Sequence, residues 1–263
     1  MATSRRNFLR GLGASATALA AAACKPFDNA GAQGAWFREN VLHLGEDINL
    51  RVQRFFLQPT SLAREFPETD ISPKFKANGS TDPDSPEYRA MVANNFADWK
   101  LKVGGLVETP MEFSLADLRA LPAREQITRH DCVEGWSCIG KWKGVQLGPI
   151  LDRVQPKPEA KFVVFRCFDS MEGPSLDGRD SRYYESIDFD DAHHVQTILA
   201  YELNDKPLPI LNGAPLRCRV ERQLGYKQAK YIRAIELVES FAGIRGGKGG
   251  YWEDEGYEWY GGI

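Results

Sequence analysis

The sequence predicts a strand-rich α+β fold, with a single main domain preceded by an irregular N-terminal extension. Three observations support this prediction. Several short apolar or alternating stretches are separated by Gly and Pro, few segments have helical spacing, and no internal repeat is present. Because 43% of the 263 residues are hydrophobic, the chain can also bury a core.

The N-terminus has the pattern of an export signal. Arg5 and Arg6 precede Asn-Phe-Leu, and the Ala-rich apolar run that follows, residues 11–23, is too short to span a membrane. This pattern is typical of the twin-arginine route, so we expect residues 1–32 to be a signal peptide and the protein to act in the periplasm. An ordinary secretory signal and a basic helix are the alternatives. Cys24 follows a poor lipidation motif, and a lipid anchor there stays open.

The charge of the chain excludes one class of partner. The formal net charge is −3, and residues 1–32 carry four basic residues against one acidic residue, so the remainder is near −6. No basic stripe is present in the sequence. We therefore expect no binding to nucleic acid and no attachment to anionic lipid.

The N-terminal half contains the extension and the first regular elements. Residues 33–90 have the composition of an extension, and residues 67–86 are rich in Pro, Ser and Asp, which predicts a loop. Regular structure is expected from about residue 93. A strand over 99–103 follows, then a short helix capped by Ser114 and stopped by Pro122, and then a strand that delivers Cys132 into a loop.

The C-terminal half alternates strands with short helical segments. A helix is predicted over 147–154 and a helical turn or two within 190–203, and strands are predicted over 161–168, 182–187, 216–221 and 231–238. In the strand over 216–221, Cys218 shares the apolar face with Leu216 and Val220, which predicts a small buried residue. Arg217 then points away from that core, towards solvent or a charged ligand.

The stretch RHDCVEGWSCIGKW, residues 129–142, contains two cysteines for which the sequence allows several interpretations. Beyond Cys24 the chain has four cysteines, Cys132, Cys138, Cys167 and Cys218. An even number in an oxidising compartment allows two disulfides. A metal ligand and a plain core cysteine are the other interpretations of Cys132.

Three motifs occur in order along the chain: Cys132-Val-Glu-x-Trp-Ser, Asn212-Gly-Ala-Pro-Leu-Arg, and Gly225-x-Lys-x-x-Lys. With them the chain resembles the molybdopterin domain of the sulfite oxidase family. It is most similar to the exported subgroup that includes catalytic subunits of protein-methionine-sulfoxide reductases. The resemblance implies a molybdopterin-binding oxidoreductase domain over 91–243 and a Gly- and aromatic-rich tail over 244–263.

The resemblance also implies a catalytic site that binds a cofactor. Cys132 would be the catalytic residue and the metal ligand of a molybdenum-molybdopterin cofactor, because a soft thiolate suits that metal. The implied cofactor contacts are Asn94, Ala97, Asp98, Cys132, Cys167, Asn212, Arg217, Gln228, Ala229 and Lys230. Of these, Arg217 offers a planar fork suited to phosphate. Two positions depart from the related reductase, in which an aromatic residue replaces Ala97 and a hydroxyl-bearing residue replaces Cys167.

The implied activity is transfer of an oxygen atom, with reduction of an S-oxide such as protein methionine sulfoxide expected outside the cytoplasm. Sulfite oxidase-type oxidation of a sulfur oxyanion is the alternative, although no arginine stands beside Cys132 on its C-terminal side. A non-catalytic periplasmic binding module on the same fold is a further alternative, and it predicts paired thiols. Because the chain has no haem, iron–sulfur or dinucleotide motif, we expect a separate electron-transfer partner, a membrane haem protein or a soluble cytochrome.

Overall fold

The computed structural model describes residues 36, 41, 43–56, 58, 60–171 and 181–263. The predicted signal peptide, residues 1–32, and the candidate lipidation site Cys24 lie outside the described residues. The chain divides into two units, Met1–Val52 and Gln53–Ile263. Helix α1, His43–Phe56, begins in the first unit and ends in the second. No helix among the described residues combines the length and apolarity needed to cross a bilayer.

The second unit contains two β-sheets and several short helices. The strands are β1 Lys100–Gly105, β2 Met111–Ser114, β3 Ala123–Cys132, β4 Trp136–Gln146, β5 Phe162–Ser170, β6 Arg182–Asp188, β7 Ile198–Leu203, β8 Lys206–Pro207, β9 Arg217–Arg219 and β10 Ile232–Val238. The helices after α1 are α2 Pro86–Ala93, α3 Leu115–Ala120, α4 Leu147–Val154, α5 Phe189–Ala192 and α6 Tyr251–Asp254. Short 3-10 turns cover Glu68–Asp70, Ile210–Asn212 and Gly225–Lys227. This strand-rich α+β architecture agrees with the fold class predicted from the sequence.

The first sheet has the strand order β2-β1-β10-β5-β6, and its β1–β10 pair is parallel while the other pairs are antiparallel. The second sheet has the order β3-β4-β7-β8, with β9 paired to β7, and it is antiparallel throughout. The hairpin β3–β4 pairs ten residues on each strand, from Ala123 opposite Val145 to Cys132 opposite Trp136. This long hairpin therefore fixes the position of Cys132 at its tip.

The main hydrophobic core contains residues from both sheets and from α4. Leu101, Phe165 and Ile235 come from the first sheet, and Leu199 and Cys218 come from the second. Helix α4 adds a buried face of Leu147, Ile150, Leu151 and Val154. Because burial of an aliphatic side chain contributes roughly 1.5–3 kcal/mol, this shared core holds the two sheets together.

Several predicted elements are present with nearly the predicted bounds. Helix α4 covers the predicted residues, and α3 begins after Ser114, whose side chain accepts a hydrogen bond from the Asp117 backbone in a capping box. Strands β1, β3, β5, β6 and β10 match the strand predictions to within a few residues. Strands β2, β4, β7 and β8 were not predicted, and neither were helix α1, inside the extension, and helix α2, which crosses the predicted boundary at residue 90. Regular structure therefore begins well before residue 93.

The prediction that Arg217 faces away from the main core is correct, and of the two predicted surroundings, solvent or a charged ligand, the structure excludes solvent. Arg217 and Arg219 pair with Ala200 and Ile198 of β7, and all four residues are completely buried. This second face of the sheet carries its own apolar cluster around Trp142. The ring of Phe75, from the extension, packs edge-on against Trp142 at 5.0 Å and helps to cover the face. The covering segment is remote in sequence, so strand alternation could not reveal it.

The C-terminal tail packs into the second unit through a buried ion cluster. The Lys227 ammonium lies 2.5 Å from Glu185 Oε1 and 2.5 Å from Glu253 Oε1, and all three side chains are buried. Glu185 belongs to β6 and Glu253 to α6, so one cation joins the sheet to the tail. Burial and the Glu253 charge raise the pKa of Glu185 well above its usual value. Two buried carboxyl groups therefore depend on Lys227.

Replacing Lys227 with methionine is expected to destabilise the fold by about 3–5 kcal/mol, because removal of one partner leaves buried acidic groups uncompensated. The loss should shrink as the pH is lowered towards the ordinary carboxyl pKa, since the buried acids then carry protons in the unfolded chain too. Urea unfolding at several pH values measures both effects. Lys161→Met is the control: its ion pair with Glu239 is exposed on both sides, so a change below about 1 kcal/mol is expected. Equal losses of unfolding free energy in the two variants would mean that Lys227 does not compensate the buried carboxyl groups.

Candidate functional site

Cys132 ends β3 at the tight turn that leads into β4. The turn is closed by the Gly135 backbone N–H, which donates to the Cys132 carbonyl oxygen at 3.0 Å. Gly135 has a φ of +83°, a conformation that glycine adopts without strain. The thiol of Cys132 is half-buried, and Cys132, Cys138, Cys167 and Cys218 are all free. The free thiols do not support the two disulfides that the binding-module alternative predicts.

A pocket opens beside the Cys132 thiol, and its walls come from distant parts of the sequence. The lining residues are Asn78, Gly79, Ser80, Cys132, Val133, Glu134, Asp169, Met171, Tyr183, Gly225, Tyr226, Gln228, Lys230, Trp252 and Tyr257. The extension, the β3–β4 turn, strands β5 and β6, the segment before β10 and the tail all contribute. The rim contains apolar side chains, of which Val133 and Tyr257 are exposed. The pocket can therefore hold a ligand with both polar and apolar parts.

The environment of Cys132 disfavours the thiolate form of its side chain, as the direction of its pKa shift indicates. Burial raises the pKa of the Cys132 thiol, and a backbone hydrogen bond from Glu134 and the charge of Lys76 act in the opposite direction. A bound metal cation deprotonates a coordinating thiol, because the cation is by far the largest local charge. The residue therefore fits the role of a metal ligand better than that of a free nucleophile.

Arg217 is a buried cation with unsatisfied hydrogen-bonding capacity. Its Nη1 donates to the Asn212 carbonyl oxygen at 3.2 Å, whereas its Nε and Nη2 have no partner. The Asn212 side-chain Nδ2 is also buried without a partner. Burial and the neighbouring Arg219 charge lower the pKa of Arg217 to about 9. Buried donors are almost always paired in proteins, so these N–H groups mark a binding site for an anionic or hydrogen-bonding group.

Lys230 lies next to this site and also reaches the extension. Its ammonium donates to the carbonyl oxygens of Asn78, at 2.5 Å, and Ser80. Burial and the charge of Arg217 lower the pKa of Lys230, because two cations in one buried region disfavour each other. An anion placed between them would relieve this repulsion. The same lysine therefore connects the extension to the buried cationic region.

A second arginine on the same strand is fully paired. Arg219 Nη2 lies 2.6 Å from Glu221 Oε2, and its Nη1 contacts both His130 Nδ1, at 3.1 Å, and Gln228 Oε1. Burial, then the charges of Arg217 and Arg219, lower the pKa of His130 well below its usual value, so its imidazole is neutral. The His130 ring approaches Gly225 so closely that a Cβ there would lie 2.4 Å from its Cε1. This contact explains a glycine in the third motif.

The structure brings some of the sequence-predicted cofactor contacts together and leaves others apart. Cys132, Gln228 and Lys230 line the pocket, whereas Asn212 and Arg217 are buried and not part of the lining, and the charge of Arg217 acts on Lys230. Ala229 is buried, and its carbonyl oxygen accepts from the Cys218 N–H at 2.8 Å. Asn94, Ala97 and Asp98 lie in the turn after α2, outside the pocket lining, where Asn94 Nδ2 donates to Asp98 Oδ2 at 2.6 Å. Their contacts with a cofactor stay predictions.

Cys167 occupies a different environment from the other candidates. It lies on β5 opposite Ile232 and is completely buried in the main core. Burial raises the pKa of the Cys167 thiol well above its usual value. The side chain therefore packs as a small apolar group, and its role towards a cofactor stays a prediction.

Neither the motifs nor the predicted elements identified most of the remaining pocket residues as part of a site. Asn78 and Ser80 lie in a stretch predicted only as loop, and Trp252 lies in the tail. Asp169 had a usable signal, because it is an acidic residue directly after the predicted apolar strand over 161–168. Gly79, Met171 and Tyr257 carry no sequence pattern that separates them from ordinary surface residues.

The donor set fits a molybdopterin cofactor. A single soft sulfur ligand stands at the pocket, and buried unpaired N–H groups of Arg217 and Asn212 stand behind it, as a phosphate-bearing pterin requires. Among the described residues, His, Cys, Asp and Glu side chains form no cluster of three that could hold a metal ion without a cofactor. The metal would therefore need most of its ligands from a bound organic group.

Comparisons with known proteins agree with this chemistry. Residues 89–242, more than half of the chain, match the family described as "Oxidoreductase molybdopterin binding domain". A protein of Azospira oryzae described as a putative protein-methionine-sulfoxide reductase subunit YedZ1 is 39% identical over 224 residues, which cover 85% of this chain and 77% of that protein.

Two further relatives are protein-methionine-sulfoxide reductase catalytic subunits MsrP. The subunit of Xanthomonas axonopodis pv. citri is 40% identical over 163 residues, covering 60% of this chain and 50% of the relative. That of Campylobacter jejuni is 36% identical over 155 residues, covering 56% of this chain and 52% of the relative. This chain spans about half the length of these two relatives. From the matched family and from the Azospira relative, the chain belongs to the oxidoreductase molybdopterin binding domain family.

Proposed function

We propose that this molybdopterin-dependent oxidoreductase contains molybdenum and reduces an S-oxide, such as methionine sulfoxide in a protein, outside the cytoplasm. The observation that carries the proposal is the pairing of one half-buried thiol, Cys132, with the buried, unpaired donors of Arg217. Bound molybdopterin would supply the metal and the exchange of two electrons and an oxygen atom.

The residues of the chain would divide the work of holding the cofactor. Cys132 would ligate the metal, and its position at the tip of the β3–β4 hairpin would fix the metal at the pocket. Arg217 and Asn212 would bind the phosphate end through their unpaired N–H groups. Lys230 would add a point charge. These groups lie on strands or next to them, which would hold their positions once the cofactor is in place.

The charges around the pocket favour an uncharged substrate over a sulfur oxyanion. The lining contains two carboxyl groups, Glu134 and Asp169, against one ammonium group, that of Lys230, and the described lining residues include no arginine. The exposed Glu134 carboxylate would repel a sulfite anion there, whereas it would not repel an uncharged S-oxide. The apolar rim, with Val133 and Met171, also suits a thioether side chain. Sulfite oxidation therefore remains the second candidate.

Electrons would come from a separate partner, for which we propose a membrane haem protein or a soluble cytochrome. Export by the twin-arginine route would suit a protein that receives its cofactor before it crosses the membrane. Turnover of methionine sulfoxide and of sulfite with artificial electron carriers, together with molybdenum analysis, tests the function. Correctly folded protein that lacks molybdenum when produced in a molybdate-replete host would refute the proposal.

Replacing Cys132 with serine is expected to abolish the molybdenum–thiolate spectroscopic signal and to lower sulfoxide turnover by more than about 100-fold. Mutation of a residue that hydrogen-bonds a metal ligand already lowers metal affinity or activity about 10–100-fold, and loss of the ligand itself is expected to lower it further. Cys138→Ser is the matched control, because the Cys138 side chain packs in the apolar cluster with Phe75 and Trp142. X-ray absorption spectra and turnover measured on both variants give the comparison. An unchanged spectrum in the Cys132 variant would exclude this residue as the ligand.

Replacing Arg217 with glutamine is expected to weaken retention of the cofactor about 10- to 100-fold, since a hydrogen bond to a charged group contributes about 1.5–3 kcal/mol. The pterin released from purified protein, measured by fluorescence, reports the retained fraction after dilution. Arg166→Gln serves as the control, because Arg166 pairs with Glu236 on a partly exposed strand face. If both variants retain as much pterin as the unmodified protein, Arg217 does not bind the cofactor.

A further inference from the structure

Asp169 is an acidic residue inside the pocket that the proposed function has not used. It lies on β5 within the irregularity in pairing between Arg166 and Ser170. The residue is 3% exposed and lines the same pocket as Cys132. Its Oδ1 is buried and has no hydrogen-bond partner. Such an oxygen is costly to bury unless it carries a proton or meets a ligand.

The proposed reaction needs protons at that place. Reduction of an S-oxide consumes two protons and two electrons, breaks the S–O bond, and yields a sulfide and water. The electrons would come from the reduced molybdopterin centre, which the partner redox protein re-reduces. The protons have to come from the pocket or from water that enters it. A group that holds a proton while it is shielded from solvent is suited to deliver it to the departing oxygen.

We propose that Asp169, through Oδ1, holds a proton and donates it to the oxygen of the S-oxide as the S–O bond breaks; this inference rests on the proposed function. The Asp169 O–H bond breaks, the carboxylate remains, and water at the pocket mouth restores the proton before the next turnover. The second proton that the reaction consumes also comes from solvent at the pocket mouth.

The electrostatics around Asp169 agree with this role. Burial raises the pKa of the Asp169 carboxyl, and the ammonium of Lys230 acts in the opposite direction. A carboxyl with a raised pKa keeps its proton closer to neutral pH than an exposed aspartate does. The titratable groups that interact with it from the surrounding elements are Tyr88 on α2, Cys167 on β5, Tyr183 on β6, and Lys230 and Tyr231 before β10.

The other ionisable groups around the pocket are less suited to this task. The Tyr183 hydroxyl donates to the Tyr226 carbonyl oxygen at 2.6 Å, and burial raises its pKa well above the usual value. The Lys230 ammonium donates to the two carbonyl oxygens of the extension. The Glu134 side chain is exposed and accepts from Trp136 Nε1 at 2.8 Å. Asp169 combines burial with an oxygen that is free to face a ligand.

The test uses the full-length, cofactor-loaded protein and its Asp169→Asn variant. Asparagine keeps the shape of the side chain and loses the proton. Sulfoxide turnover is expected to fall by about 10²–10⁴-fold, while the molybdenum and pterin contents stay unchanged. Turnover of the unmodified protein should decline as the pH rises through the pKa of Asp169, and the variant should lack this decline. Infrared difference spectra should show a protonated-carboxyl band in the unmodified protein at neutral pH that the variant lacks.

Each result decides the role of Asp169. A loss of pterin from the Asp169→Asn variant would mean that this carboxyl binds the cofactor. Unchanged turnover or an unchanged infrared band in the variant would mean that Asp169 donates no proton. Any one of these three results would overturn the inference. Asp70→Asn, at an exposed position outside the pocket, is the control and should match the unmodified protein. If unmodified, molybdenum-loaded protein fails to reduce any S-oxide, the proposed function fails, whereas the infrared band still reports whether Asp169 holds a proton.

Discussion

The structure depends on the burial of positive charge on the second face of the sheet that contains β9. Arg217 and Arg219 are both completely buried there and stack near the ring of Trp142, at 5.1 Å and 4.4 Å from its centroid. Arg219 has Glu221 as a counter-ion, whereas Arg217 forms no ion pair among the described residues and donates one hydrogen bond, to the Asn212 carbonyl oxygen. Burial of a cation without a paired anion is expensive, so this place suits an anionic ligand.

The protein groups at the two ends of the site have opposite chemical properties. Cys132 stands at a pocket mouth and offers one polarisable sulfur atom, which suits a soft metal. Arg217 and Asn212 stand in the protein interior and offer hard hydrogen-bond donors, which suit phosphate. Both ends are held by regular structure, the tip of a long hairpin in one case and a strand of the same sheet in the other. A cofactor that joins a metal to a phosphate would match both ends.

Local sequence patterns predicted the elements whose packing is local. Helix α4 has its whole apolar face in one stretch, and Ser114 caps α3 through a residue three positions away, so both follow from short-range rules. Strands β4 and β7 carry lysines, glycines and glutamate among their apolar residues, and they form because long-range pairing outweighs weak propensity. The environment of Arg217 depends on Phe75, which is 142 positions earlier in the chain, and no local rule connects them. The motifs contain Cys132, Arg217 and part of the pocket lining, while the walls around Asn78, Asp169 and Trp252 come from segments without any motif.

The extension has a consequence for the order of assembly. Arg217 is inaccessible once Phe75 packs on Trp142 and the carbonyl oxygens of Asn78 and Ser80 accept from Lys230. A phosphate group that reaches Arg217 must therefore arrive before residues 75–80 settle, or must lift them. If Arg217 binds the phosphate of a cofactor, insertion of the cofactor and closure of this segment would be one coupled process, and a chain without the cofactor would be cut more readily by a protease between residues 75 and 80.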